Sequence, residues 1–250
     1  MQDYDIVYCG SDYIVSSLVS GITSILKNVK VKNTINFHIL DFEIAKPKKD
    51  KIISVVDRYN NRYDYAQWGT DEQDKQFNVF FHKPILGRSN KEKLEFYKSN
   101  YNPVFPDEFY LYKLFLQDIF SDLDSCLFLS GSIVAKECVS KIFENLSFDE
   151  HFAIVSKSND THKILEDNSI FLYIQKDGQG ENFCKHFKRK VYFNPDMLLL
   201  NLRKMREKDI SQHFYAYAVQ NLHSPYKDYI DSVDGILRLG FEDYVKVSSF

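Results

Sequence analysis

The chain has 250 residues, 44% apolar and 27% charged, which is enough to bury one large core or two modest ones and excludes disorder as its main state. With 32 Lys and Arg against 35 Asp and Glu the net charge is -3, so no global field draws it to nucleic acid or an anionic membrane, and any polyanion must be met locally. Aromatic residues reach 16% beside 9 Gly and 6 Pro, which excludes collagen-like, repeat and low-complexity classes.

Tyr4 to Cys9 is a β-prone run ending at Gly10, and Leu18, Ile22, Ile25 and Leu26 then recur at helical spacing. Ile35 to Asp41 alternates as a second strand, and after Pro47 the residues Ile52, Val55, Val56 and Tyr59 mark a second amphipathic helix. Between Gly69 and Asn102 only Phe77 to Phe81 suggests a strand. A helix starting near Asp107 places Phe109, Tyr112, Leu116 and Ile119 inward, followed by a strand over Ser125 to Leu129. Beyond it the pattern predicts a helix from Ala135 to Glu144, a strand from His151 to Val155, a β-prone Ile170 to Ile174, and a loop with Gly178 and Gly180. The last third offers Val191 to Pro195, then Met197 to Leu202, then one helix from Arg203 to Leu222. No Gly, Ser or Pro linker divides the chain, so a single domain over residues 1–250 is expected.

Alternating strands and helices build a mainly parallel sheet flanked by helices, because a parallel crossover needs about a dozen residues. Ligands of such sheets sit beyond the strand C-termini, which directs attention to Cys9 to Tyr13 and to whatever follows Leu129. The four cysteines, Cys9, Cys126, Cys138 and Cys184, form no C-x-x-C pair, and no signal peptide follows Met1, so a reducing cytoplasm is expected. Apolar runs of four or five residues, such as Met197 to Leu200, fall far short of the roughly 18 that span a bilayer, although a peripheral contact at the inner membrane face stays open.

No G-x-G-x-x-G, Walker, G-x-S-x-G or H-E-x-x-H motif occurs, which removes support for dinucleotide, P-loop, serine hydrolase and zincin chemistry. The basic run Lys185 to Lys190 can meet phosphate or a lipid head group, or is a solvated loop before a strand.

Three segments in order, Asp5 to Tyr13 with Leu18 to Leu26 and Ile35 to Asp41, then Asp122 to Val134, then Val191 to Arg206, resemble glycosyltransferase family 8, which includes lipopolysaccharide galactosyl- and glucosyltransferases and the glycogenins. Asp5 to Tyr13 with Leu18 to Leu26 and Ile35 to Asp41 is similar to the family opening. Asp122 to Val134 is similar to the segment ending a strand in Leu-Tyr-Leu-Asp-x-Asp. Val191 to Arg206 is similar to Tyr-Phe-Asn-Ala-Gly-Val-Leu-Leu-Ile-Asn-Leu-x-x-Trp-Arg. The resemblance implies a GT-A type, Rossmann-like fold, a nucleotide-sugar donor (UDP-hexose), a glycan or lipid-linked glycan acceptor, and transfer with retention of configuration. It also implies a divalent cation, commonly manganese, held by the two Asp-x-Asp carboxylates against the leaving diphosphate.

At the Asp-x-Asp positions this chain has Ser130, Gly131 and Ser132, so the family manganese site is expected to be lost. By resemblance the nucleotide sugar is met by Cys9, Asp12, Lys113, Ser130, Ser132 and Asn194, while no catalytic residue is assigned. Five of the six have a plainer alternative: Asp12 as a helix N-cap, Lys113 as a solvated helix residue, the serines as a tight turn around Gly131, and Asn194 as a backbone partner. Lys113 stands for a family arginine, keeping the charge without the bidentate fork. Pro195 and Asp196 replace Ala-Gly beside Asn194, Asp231 and Asp234 echo a family Asp-Gln-Asp weakly or are surface carboxylates, and the usual C-terminal segment is missing before Phe250. Two functions follow: a hexosyltransferase toward a lipooligosaccharide or capsule precursor with weakened or metal-independent catalysis, or a non-catalytic relative that serves as a binding or assembly partner.

Overall fold

In strand β1 (Asp3–Ser11), Tyr4, Ile6 and Tyr8 face one side while Val7 and Cys9 face the other, and all five are buried. A strand covered on both faces belongs in the middle of a sheet. The computed structural model describes residues 3–29, 34–65, 76–100, 108–144, 153–157, 193–222 and 245–248. It places β1 beside β2 (Thr34–Phe42), β2 beside β3 (Gln76–His82), and β4 (Cys126–Leu129) on the other flank of β1, all parallel. Beyond β4 comes β6 (Phe193–Leu200), antiparallel to it, then β5 (Ala153–Lys157) and β7 (Val245–Ser248), giving the order β3-β2-β1-β4-β6-β5-β7. Strands β1, β2 and β4 thus share one sheet with their C-terminal ends on one edge, as the sequence pattern predicts.

One face is covered by α1 (Val15–Asn28), α2 (Lys46–Tyr65) and α5 (Ser140–Glu144), with Leu18, Ile22, Ile25, Leu26, Ile52, Val56 and Tyr59 buried as their spacing predicts. The opposite face carries α3 (Arg88–Asn100), a 3-10 helix (Glu108–Phe115), α4 (Leu116–Ile119), α6 (Leu202–Glu207) and α7 (Ile210–Asn221). Among the described residues no helix is long and apolar enough to cross a membrane.

Four local expectations shift. The segment read as a helix from Asp107 is 3-10 up to Phe115, and residues 111–117 are all buried, so no solvated stripe selects the α period there. Residues 135–139 are not helical, because the Ala135 backbone is stapled to α1: its N–H donates to Ser24 Oγ (2.8 Å) and its carbonyl accepts from Asn28 Nδ2 (3.0 Å). A Cβ at Gly21 would lie 3.0 Å from the Ile133 carbonyl oxygen, so this residue lets the loop lie close on α1. The helix read from Arg203 to Leu222 breaks at Asp209, which takes a left-handed φ of 47° and caps α7 through its side chain to the Gln212 N–H. Finally, Phe193–Leu200 is one strand through Pro195. Ile170 to Ile174, Gly178, Gly180, Lys185 to Lys190, Asp231 and Asp234 lie outside the described residues.

A polar chain crosses β1, β2 and β3. Asn78 Nδ2 donates to Asn36 Oδ1 (2.9 Å), and Asn36 Nδ2 donates to Asp5 Oδ1 (3.0 Å). His38 places Nε2 2.9 Å from Asp5 Oδ1 and Nδ1 3.0 Å from His82 Nε2, while Phe120 meets both imidazole rings edge-on. Burial, then the charge of His38, holds the His82 pKa below its ordinary 6.5, against a weaker pull from Asp122. Below pH 6.5 the unfolded chain therefore takes up a proton at this residue that the folded chain resists, and stability falls with pH. The urea midpoint should drop between pH 7.5 and pH 5.5, and His82→Gln should make that drop smaller. An equal drop in both proteins would contradict the assignment.

Candidate functional site

The C-terminal edge of the parallel strands is built from three short segments. After β1, Ile14 N–H donates to the Ser11 carbonyl (3.2 Å), closing a turn that presents Asp12 and leaves Tyr13 exposed. Asp12 is not the N-cap of α1: Ile14 holds that position without a side-chain cap. Instead Asp12 Oδ1 accepts from Ala45 N–H (2.8 Å), Oδ2 lies 2.9 Å from Lys48 Nζ, and Lys48 also donates to the Asp12 carbonyl (3.0 Å). The Ala45 N–H first, then Lys48, holds the Asp12 carboxyl below its ordinary pKa. This ties the β1–α1 turn to the start of α2. The Ser11 hydroxyl beside it is buried with no hydrogen-bond partner among the described residues.

The β2–α2 connection is fixed from its other side by Asp41, whose Oδ1 accepts from Ile44 N–H (2.8 Å) and whose Oδ2 pairs with Lys49. Between these two anchors Glu43 adopts a φ of 59°. An exposed L-residue in this region carries roughly 1 kcal/mol of strain that glycine avoids. Gly10 also gives room here, since a Cβ would come within 2.8 Å of Ile44 Cδ1.

The third segment follows β4. Ser130 N–H donates to the Asp196 carbonyl (2.8 Å), which extends the β4–β6 ladder one step past Leu129 and Met197. Ile133 N–H donates to the Ser130 carbonyl (3.1 Å), so Ser130 to Ile133 is a tight turn around Gly131, with the Ser130 and Ser132 hydroxyls 3.2 Å apart. Two neutral hydroxyls are a poor donor set for a hard dication. No group of three or more His, Cys, Asp or Glu side chains among the described residues is disposed to hold one. Ser130 and Ser132 by themselves do not fit the cation that Asp-x-Asp would hold.

Lys113 rises into this edge from the 3-10 helix, and its side chain is 1% exposed, so it is not a solvated helix residue. Its Nζ lies 3.8 Å from Asp196 Oδ1 and 5.1 Å from the centre of the Phe128 ring. Taking an ammonium out of water costs several kcal/mol, which the carboxylate and the ring offset in part. Cys9 belongs to the same buried cluster: burial pushes its thiol up to about 12, and Lys113 pulls it back down. Cys9, Lys113, Ser130 and Ser132 thus gather where β1, β4 and β6 meet, Asp12 stands on the adjoining rim, and Asn194 lies in β6 two residues before Asp196.

Sequence reading missed two placements. Asp196 lies opposite Ser130 only because β6 runs antiparallel to β4 in this register. Arg206 forks onto the carbonyls of Phe120 (Nη1, 2.9 Å) and Leu123 (Nη2, 2.9 Å), which holds the segment leading into β4. Both residues lie in the Val191 to Arg206 motif, but neither partner is near in sequence.

Replacing Glu43 by glycine tests the rim. Glu43→Gly should leave stability unchanged or raise it by up to about 0.6 kcal/mol in urea denaturation, because the strain relieved at least matches the entropy of about 0.4–1 kcal/mol that glycine adds to the unfolded chain. A loss of stability would show that the φ is not a cost.

With the geometry in place, comparisons agree on its lineage. The sequence profile described as glycosyl transferase family 8 matches residues 5–246. No curated protein matches the sequence. Among solved structures, the chain is similar to the apo WbbM bifunctional glycosyltransferase (TM-score 0.64, 13% identity), covering 98% of this chain and 38% of that one. It is similar to the galactosyltransferase LgtC in complex with donor and acceptor sugar analogs (TM-score 0.60, 18% identity), covering 98% of this chain and 73% of that one. It is also similar to mouse xyloside xylosyltransferase 1 in its apo form (TM-score 0.61, 14% identity), covering 99% of this chain and 85% of that one. These likenesses establish the GT-A fold.

Proposed function

From the premise that the chain belongs to glycosyl transferase family 8, we propose that it moves a hexosyl group from a nucleotide sugar, UDP-hexose by family analogy, to a glycan acceptor. The observation that carries this reading is the buried Lys113 ammonium, placed at the strand edge beside the Ser130 turn. When the bond from the sugar to the diphosphate breaks, negative charge grows on the leaving oxygen. A fixed cation in a dry site stabilises that charge more than it would in water. Ser130 and Ser132 offer hydroxyl donors, and the orphaned Ser11 hydroxyl at the end of β1 offers another group to a bound donor. In this reading the chemistry proceeds weakly or without a metal. The acceptor is a lipooligosaccharide or capsule precursor, met in the cytoplasm or at the inner face of the membrane.

The loss of both Asp-x-Asp carboxylates favours a second reading, a relative that keeps the fold as a binding or assembly partner. Calorimetric titration of UDP and UDP-hexoses, with manganese and with chelator, separates the two. Binding that persists in chelator and weakens about ten- to a hundredfold in Lys113→Met supports the transferase, on the scale of one charge-assisted contact of about 1.5–3 kcal/mol. No binding to any nucleotide sugar supports the partner role. Ser130→Asp with Ser132→Asp should raise manganese affinity if the edge otherwise follows the family, and an unchanged affinity would count against placing these positions at the diphosphate.

A further inference from the structure

We propose that Asp196 is a built-in counter-ion that holds Lys113 in the free protein and yields it to the diphosphate of the donor, so that it sets donor affinity without touching the sugar. This rests on the donor reading above and adds a residue to it.

Four observations carry the assignment. The Lys113 side chain is 1% exposed whereas that of Asp196 is 39% exposed, so of the two charges the carboxylate is the one that meets solvent. Their separation of 3.8 Å is beyond the 2.7–2.9 Å of a tight charge-assisted hydrogen bond, so the pair is loose enough to exchange. The Asp196 backbone is pinned by the Ser130 N–H at 2.8 Å and by the β6 ladder, which leaves rotation of a short side chain as the motion required. The Phe128 ring, on buried β4, stays over the ammonium at 5.1 Å whichever anion is present.

The carboxylate thereby serves two ends. It offsets the cost of burying Lys113 when no donor is bound, and it competes with the incoming diphosphate, so apparent affinity is lower than the bare ammonium would give. A diphosphate outcompetes it because it brings more negative charge to the same cation. Uridine, which has no phosphate, meets no such competition.

The test is calorimetric titration of UDP and of uridine into the wild type, Asp196→Asn, Lys113→Met and the double variant. Asp196→Asn should bind UDP about three- to tenfold more tightly, the range expected for removing a half-exposed ionic competitor, with uridine affinity unchanged. The gain should vanish in the Lys113→Met background. Asp196→Ser, a second neutral substitution, should reproduce the gain and stands in if the Asn variant fails to fold. Unchanged or weaker UDP binding in the neutral variants overturns the proposal. So does an equal gain for uridine, which marks remodelling of the pocket, or an equal gain without Lys113, which marks general repulsion. Failure of the wild type and of both neutral variants to bind UDP at all overturns the donor reading itself.

Discussion

The pairing of β4 with β6 is the constraint on which the rest depends. Cys126 to Leu129 are buried on both faces, and their antiparallel ladder to Met197–Leu200 joins the parallel half of the sheet to β5 and β7. Because β6 runs against its neighbours, its beginning, not its end, reaches the edge where the other strands finish. That single reversal brings Asn194 to Asp196 beside the turns that follow β1 and β4. A parallel β6 would have sent the same residues to the far side of the sheet.

On that edge the electrostatics follow from burial. An ammonium inside the fold must be compensated, and the compensation comes from an aromatic ring on β4 and a carboxylate on β6. At the turn this chain places two neutral hydroxyls, and the positive charge nearby is carried by the Lys113 side chain. Cys9 and Phe128 belong to one buried cluster, and the Lys113 ammonium lies 5.1 Å from the centre of the Phe128 ring.

The rim around this spot is braced by side chains that cap backbone rather than by regular structure. Asp12 and Asp41 satisfy N–H groups at the start of α2, and each also engages a lysine of that helix. At the opposite edge, where β4 begins, Arg206 holds the carbonyls of Phe120 and Leu123 in the same manner. Of these contacts, those of Asp12 join two connections that are far apart in sequence, the β1–α1 turn and the start of α2.

What the sequence determined by itself was local. The period of Leu18, Ile22, Ile25 and Leu26 makes α1, the two-faced apolar run of Tyr4 to Cys9 makes an inner strand, and the alternation of such elements makes a largely parallel sheet. Only the tertiary structure decided that Asp12 braces α2 instead of capping α1, that Lys113 is buried, and that Asp196 faces it. Each of these depends on register and strand direction between residues dozens of positions apart, set by how two faces of a sheet are packed. Hydrophobic periodicity reports which side of an element is inward, but it holds no information on which distant element lies there.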